Sequence, residues 1–313
     1  MVKLRKILYQ IGWLKAYWEV DRFRYLKRLG KASGDDWRYA SKDDAEQFAG
    51  REVVASVAGS GAPVFFYCDP RSVIEAEILK TGAFQTRILE LGASLLRAPG
   101  LVLDIGANVG AYAVPWAGRC PDVIVHCFEP HPACLARLRR NVELNGQGAR
   151  VQLHALALSD TTGEAVLHAI RADDGNQGLS TLRADILGGA ASTPLPVPVC
   201  RLDDLLAAET APIRLIKVDV QGHELEVLRG GRAIIARHRP PIILEHEDVL
   251  FASAQAAAER KAELGEFLAQ LGYTALYVSR WGSGLMSPVD WSRPLNGDIL
   301  ALPFGAAGVT DGQ

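Results

Sequence analysis

Several apolar runs of this chain stop at an acid. Leu101-Val102-Leu103 ends in Asp104, Val123 to Phe128 in Glu129, Leu215 to Val218 in Asp219, and Ile242 to Leu244 in Glu245. Open α/β sheets bind ligands outside the carboxyl ends of their strands, so carboxylates at those ends are placed for chemistry. Between the first two acids lies a loop of small residues, Gly106-Ala107-Asn108-Val109-Gly110. Glycines let backbone approach a ligand closely. A helix beginning after such a loop turns free N–H groups toward a carboxylate or phosphate. An acid that closes the second strand suits the two hydroxyls of a ribose.

The loop spacing discriminates among nucleotides. A dinucleotide fingerprint, G-x-G-x-x-G, needs a third glycine and closer spacing. Asp104-x-Gly106-x-Asn108-x-Gly110 instead sets an acid just before the loop. A diphosphate is poorly served by that charge. S-adenosylmethionine (SAM), with an amino acid end, a ribose and no phosphate, fits better. On this reading Gly106, Asn108 and Gly110 hold the amino acid end, Asp104 lies near its ammonium, and Glu129 binds the ribose. A tight structural strand–helix turn is the plain alternative for the same residues.

The elements that must position these groups follow from periodicity and punctuation. Strand, glycine loop, a short helix over Ala111 to Ala117 and strand make the first half of a nucleotide-binding unit. Pro130 and Pro132 bracket the next helix start, and Leu144-Asn145-Gly146 ends that helix. Val151 to Leu158 reads as a third strand ending in Ser159-Asp160, and Glu164 to Ala169 as a further one. Asp173 to Thr193 reads as a long loop or lid with a short helical piece around Thr181 to Leu187, and long loops of this kind are often functional. Asp203 or Asp204 is expected to cap a short helix. Leu215 to Val218 and Ile242 to Leu244 are core strands, Ala254 to Leu271 a helix, and Tyr273 to Val278 with Asp298 to Leu302 two last strands. This alternation implies a mostly parallel sheet with helices on both faces. Ahead of it, Val53 to Asp69 reads as extended segments around a Gly59-Ser60-Gly61 turn, and Ser72 to Gly100 as two helices.

Composition bounds the rest. The 313 residues suffice for one large α/β domain with additions, and 49% hydrophobic with 22% charged residues is globular. The net charge of −2 gives no general attraction to nucleic acid. Five scattered cysteines without a C-x-x-C pair argue for reduced thiols in a cytosolic protein and against a zinc site. No apolar run approaches the roughly 20 residues that span a bilayer. Residues 1 to 31 stand apart. Leu4, Ile7, Leu8, Ile11, Leu14 and Trp18 recur at helical spacing, and nine basic residues face two acidic ones. That segment is expected to pack on its own body or a partner's with a solvated basic face; lying on an anionic membrane surface is the alternative. The expected divisions are 1–50 (basic amphipathic helix and linker), 51–99 (strands and helices leading into the core) and 100–313 (core).

The chain resembles the FkbM-type SAM-dependent methyltransferases. The resemblance rests on Leu103 to Gly110, Phe128-Glu129-Pro130, Ala157 to Asp160, Leu202 to Leu205, Ile216 to Glu224, Val227 to Gly230 and Ile243-Leu244-Glu245. It covers roughly residues 75 to 303. Gln221 and His223 depart from it, since the family more often has Glu and Tyr or Phe there. The resemblance implies a class I methyltransferase (Rossmann-like) fold, a seven-stranded sheet with one antiparallel strand, and methyl transfer to a hydroxyl of a sugar, glycoconjugate or secondary metabolite. It also suggests that Ser159 and Asp160 flank the adenine.

An alcohol is a weak nucleophile, so such a transfer needs in-line positioning and often a base. Asp219, Glu245, His223 and His246 are the candidates, with Asp219 or His246 preferred. Neighbours on a strand point to opposite faces, so only one of Glu245 and His246 is expected in the site. Glu224, in the first turn of a helix, also suits the helix dipole. Asp219, Glu245, Glu247 and Asp248 could gather oxygen ligands for Mg²⁺, but acids in sequence at a strand end read as a solvated loop, and no metal ligand is assigned. Two rival functions are a nicotinamide-dependent oxidoreductase, which the missing third glycine disfavours, and a binding module that retains a cofactor fold without catalysis.

Overall fold

The computed structural model describes residues 53–57, 63–69, 72–170, 180–186, 192–278 and 286–304. The basic stripe of residues 1 to 31 and the Gly59-Ser60-Gly61 turn lie outside them. A hairpin of β1 (Val53–Val57) and β2 (Val64–Cys68) comes first, then helices α1 (Val73–Thr81) and α2 (Thr86–Leu95). The core begins with β3 (Gly100–Ile105), α3 (Ala113–Arg119), β4 (Val123–Phe128), α4 (Pro132–Leu144) and β5 (Val151–His154). Strands β6 (Ala157–Leu158), β7 (Gly163–Ile170) and β8 (Ser192–Cys200) follow, then α5 (Leu202–Leu205). The chain returns to the core with β9 (Ile213–Val218), α6 (Glu224–Gly230), α7 (Arg232–His238) and β10 (Ile242–Glu247). It closes with α8 (Ala254–Gln270), β11 (Tyr273–Val278), β12 (Met286–Pro288) and β13 (Asn296–Pro303).

The main sheet has the order β12-β11-β13-β10-β9-β3-β4-β5. Strands β10, β9, β3, β4 and β5 are parallel, and β13 runs against β10 and β11. This is the expected mostly parallel sheet with one reversed strand, extended at the edge by the short antiparallel β12. Its central strands are buried on both faces, which is why they read as continuous apolar runs. Side chains alternate between two cores. Val102, Leu215 and Ile243 face α2, α3 and β2. Leu103, Ile216 and Leu244 face α6, α7 and α8.

Local chemistry sets the helix ends. Pro132 opens α4, with His131 Nδ1 accepting from Ala133 N, and Ser253 Oγ accepts from Ala256 N at the start of α8. Helix α3 begins two residues later than the periodicity suggests, after a turn that contains Gly110 at φ +85°.

Two expectations are corrected. Val151 to Leu158 is not one strand: β5 ends at His154, and β6 pairs with β8 in a separate three-stranded sheet of order β6-β8-β7. The apolar residues continue through the break, so periodicity could not reveal it. Neither Asp203 nor Asp204 caps α5, whose N-cap position is Arg201. The Asp203 carboxylate instead accepts from Ala233 N and Ile234 N, capping α7 thirty residues away.

Candidate active site

The glycine loop is pinned at the carboxyl edge of β3. Phe128 O accepts from both Gly106 N and Ala107 N, at 3.0 and 3.1 Å. Gly106 has φ +80°, and a Cβ there would lie 1.9 Å from the Asp219 carbonyl oxygen. Only glycine allows this crossing of two strand ends. Asn108 also takes a left-handed conformation, φ +49°, and turns its N–H to Glu129 Oε2 at 2.8 Å. His131 N donates to Glu129 Oε1, also at 2.8 Å. Glu129 is therefore held by two backbone donors while each oxygen keeps a further lone pair. Burial pushes its pKa up to about 7, against the pull of those two N–H groups.

A cleft opens between this loop and the three-stranded sheet. Its walls include Ile105, Phe128, Leu158 and Leu167, and its polar lining includes Asn108, Glu129, Asp219 and His223. The segment from Ser180 crosses one side. Thr181 forms a backbone bridge with His168 and donates its hydroxyl to Gln221 O at 2.9 Å. Apolar walls, a fixed carboxylate and a close-packed backbone loop fit an adenosine. Asp104 lies at the end of β3 with no exposed surface, and neither carboxylate oxygen has a hydrogen-bond partner. Burial raises its pKa to about 6, opposed by Lys217 and reinforced by Asp219; the Ala113 N–H pulls it down. An unpartnered buried carboxylate of this kind suits an ammonium group.

Asp219, just past the end of β9, and Glu245, inside β10, stand side by side on one face of the sheet; β10 runs on to Glu247, so the acids at 245 and 247 belong to a strand and not to the expected loop. The Gln221 amide nitrogen bridges them, donating to Asp219 Oδ1 at 2.8 Å and to Glu245 Oε2 at 3.1 Å. Lys217 Nζ binds Asp219 Oδ2 at 3.0 Å. Burial pushes the Asp219 pKa up, but Lys217 and the Gln221 donor outweigh it, and the carboxyl sits below its ordinary range. Lys217 also lies 4.5 Å from the centre of the Tyr112 ring, and Tyr112 donates its hydroxyl to Gln85 Oε1 at 2.7 Å. Gln85, Asn108 and Gln221 are three of the four non-glycine residues with positive φ among the described residues. Backbone strain thus gathers around this one site. The fourth, Arg239, ends α7.

The remaining sequence candidates divide. His223 lines the cleft, with Nε2 3.0 Å from Ser159 Oγ, and its pKa is lowered mainly by burial. His246 does not join Asp219. It points to the opposite face of β10, 3% exposed, stacked on Phe251 and bonded to Asp248 Oδ1 at 3.0 Å. That corrects its preference as base. Ser159 and Asp160 lie beside the cleft rather than on its wall, and Asp160 is exposed. Gly110 packs against Leu138 below the loop. Glu224 accepts from Gly222 N and Val220 N, so it holds the turn after β9. Sequence reasoning missed Lys217, Gln85, Tyr112 and Thr181. For Lys217 a signal existed: an ionisable residue inside an apolar run. Contacts across the fold join the other three, and spacing carries no trace of them.

A parallel sheet with one reversed strand, a glycine loop after its first core strand and an acid after the second define the class I methyltransferase type of fold. The Methyltransferase FkbM domain family matches residues 104–275, more than half of the chain. The chain therefore belongs to the FkbM methyltransferase family. It is similar to the 2-O-methyltransferase NoeI of Sinorhizobium fredii (strain NBRC 101917 / NGR234), 32% identical over 162 residues that cover 47% of this chain and 63% of NoeI. The 31-O-demethyl-FK506 methyltransferase FkbM of Streptomyces tacrolimicus is 31% identical over 180 residues, 50% of this chain and 68% of that one. The hexuronic acid methyltransferase AglP of Haloferax volcanii is 27% identical over 137 residues, 41% and 48% of the two chains. This chain thus spans less than two thirds of NoeI and about half of AglP. No helix among the described residues is long and apolar enough to cross a membrane.

Proposed function

We propose that this chain is a SAM-dependent O-methyltransferase acting on a hydroxyl of a sugar, glycoconjugate or secondary metabolite. The observation that carries the reading is that Glu129, fixed by two N–H donors, and Asp219, kept ionised, line one cleft. SAM, when bound, supplies a methyl group on a sulfonium, ready for attack by a nucleophile. The residues of the chain bind and orient. The backbone of Gly106 to Gly110 and the Asp104 carboxylate would receive the amino acid end, and Glu129 would accept from the ribose hydroxyls. Ile105, Phe128 and Leu158 would cover the adenine and exclude water. Asp219 would accept the acceptor hydroxyl's proton as its oxygen attacks, and its charged state across the neutral range suits that task. His223 is the second candidate for that proton, although its Nε2 already contacts Ser159. The names of NoeI and FkbM specify oxygen as the methylated atom, and that of AglP a sugar acid as the substrate; both features are extended to this chain as part of the proposal.

The test is incubation with methyl-labelled SAM and a panel of glycosides, glycolipids and hydroxylated metabolites. Label recovered on an ether oxygen, with an equal amount of S-adenosylhomocysteine (SAH), is the expected outcome. Label on nitrogen or carbon would overturn the O-methyl assignment. A folded protein that binds NAD and not SAH would overturn the class of chemistry.

A further inference from the structure

Lys217 is a buried cation at the penultimate position of strand β9, 4% exposed. Burying an ammonium is costly unless it is paired and hydrogen-bonded. Its neighbours come from several elements: Asp219 just past the end of the same strand, Asp104 from β3 and Glu245 from β10, with the Tyr112 ring over it from the turn before α3. Glu129 and Glu224 add negative charge around Asp219, and Asp219 in turn acts on Tyr112. This is a crowd of carboxylates around one cation. Burial drives the pKa of Asp104, Glu129 and Glu224 upward. Asp219 alone of these four is held low, and it alone receives a direct hydrogen bond from Lys217.

The geometry also fixes direction. Lys217 takes Oδ2 and Gln221 takes Oδ1, so the carboxylate plane cannot rotate freely. Lys217 does not line the cleft, whereas Asp219 does. We propose that Lys217 is a positioning residue for the methyl-transfer site, fixing the orientation and charge of the Asp219 carboxylate and reaching the acceptor only through it. This rests on the reading that Asp219 takes the acceptor's proton.

The test compares wild type with Lys217→Met and Lys217→Arg. Titration of Asp219 is followed by NMR of aspartate labelled at the side-chain carboxyl carbon, assigned with Asp219→Asn, and the SAH thermal shift is recorded for each protein. In Lys217→Met the Asp219 midpoint should rise by about one pH unit or more, a tenfold change in proton affinity. Lys217→Arg should stay near wild type, and SAH should still stabilise all three. An unchanged midpoint in a folded Lys217→Met would overturn the role. If Lys217→Met does not fold, reciprocity gives the second measurement. Asp219→Asn should lower the titration midpoint of the Lys217 ammonium, followed by its nitrogen resonance, and an unchanged midpoint there would overturn it equally. A wild-type protein that SAH fails to stabilise would count against the proposed function instead, and the titrations would still decide whether the ion pair sets Asp219.

Discussion

Two buried lysines in this protein hold an aspartate, and they serve opposite ends. Lys261, 3% exposed, donates to Asp248 Oδ2 at 2.8 Å and to Arg293 O at 2.6 Å. Asp248 also accepts from Leu295 N and contacts His246 Nε2, so both its oxygens are occupied. That network is closed, faces away from the cleft, and ties β10 to α8 and the segment before β13. The Lys217 network has the same kind of pair, with Asp219 pKa lowered like that of Asp248. Both Asp219 oxygens are occupied too, by Lys217 and Gln221. The difference is that Asp219 lines the cleft, and that the buried Asp104 near Lys217 has no hydrogen-bond partner on either oxygen. A lowered pKa and a buried ion pair are therefore weak signs of function by themselves. The sign lies in a carboxylate of the network reaching a cavity wall.

Breaking each network should have a different consequence. Asp219→Asn should lower kcat for methyl transfer by about 10²–10⁴-fold, the usual worth of a positioned base. Its folding should change less, because Asn still accepts from Lys217; steady-state rates and thermal melts measure the two. Lys261→Met should do the reverse. Asp248 is half-buried and keeps Leu295 N and His246, so losing the Lys261 hydrogen bond should cost about 1.5–3 kcal/mol of stability, read by urea unfolding, while SAH affinity of the folded fraction stays unchanged.

The open site should also respond to pH. Glu129 titrates at about 7 in the fold and lower when unfolded. A raised carboxylate pKa means that the native state holds its proton longer, so this group's effect is to lower stability as pH rises from about 4.5 to 7. Ribose hydroxyls need the ionised form, so SAH affinity should move the other way. It should fall about tenfold between pH 8 and pH 6, because only about one tenth of a group with pKa 7 is ionised at pH 6. Asp104, near 6, acts in the same direction. Calorimetry across that range measures it, and Glu129→Gln should flatten the profile. The smallest effect belongs to Gln221→Glu. It removes the shared donor between Asp219 and Glu245 and adds a third carboxylate. Activity should drop several-fold below pH 7 and recover at pH 8, with Tm as the control for folding.

Much of this site was legible because its chemistry sits at strand ends. An apolar run that stops at Asp104, Glu129, Asp219 or Glu245 reports both the strand and the carboxylate that leaves it. The parity of a strand likewise foretold that Glu245 and His246 would part, though not which would join Asp219. Register across β9 and β10 decides that, and register is a property of the pair. Asp203 shows the same limit: its position suggested a local cap, yet it closes a helix distant in sequence. The break after His154 was invisible because apolar residues continue on both sides of it. Tyr112 meets Lys217, and Gln85 meets Tyr112, only through the packing of α2 and α3 on the sheet. Gln221 was visible as a departure from the family's usual acid, and its bridging amide supplies the physical meaning: a neutral donor between two carboxylates.

The most direct measurement is a thermal shift of the purified protein with SAH, with NAD as the parallel control. A ligand at about 100 times its dissociation constant stabilises the native state by roughly 2.7 kcal/mol, several degrees in a chain of this size. The account predicts that shift with SAH and none with NAD. A shift with NAD alone, or with neither ligand, would contradict it.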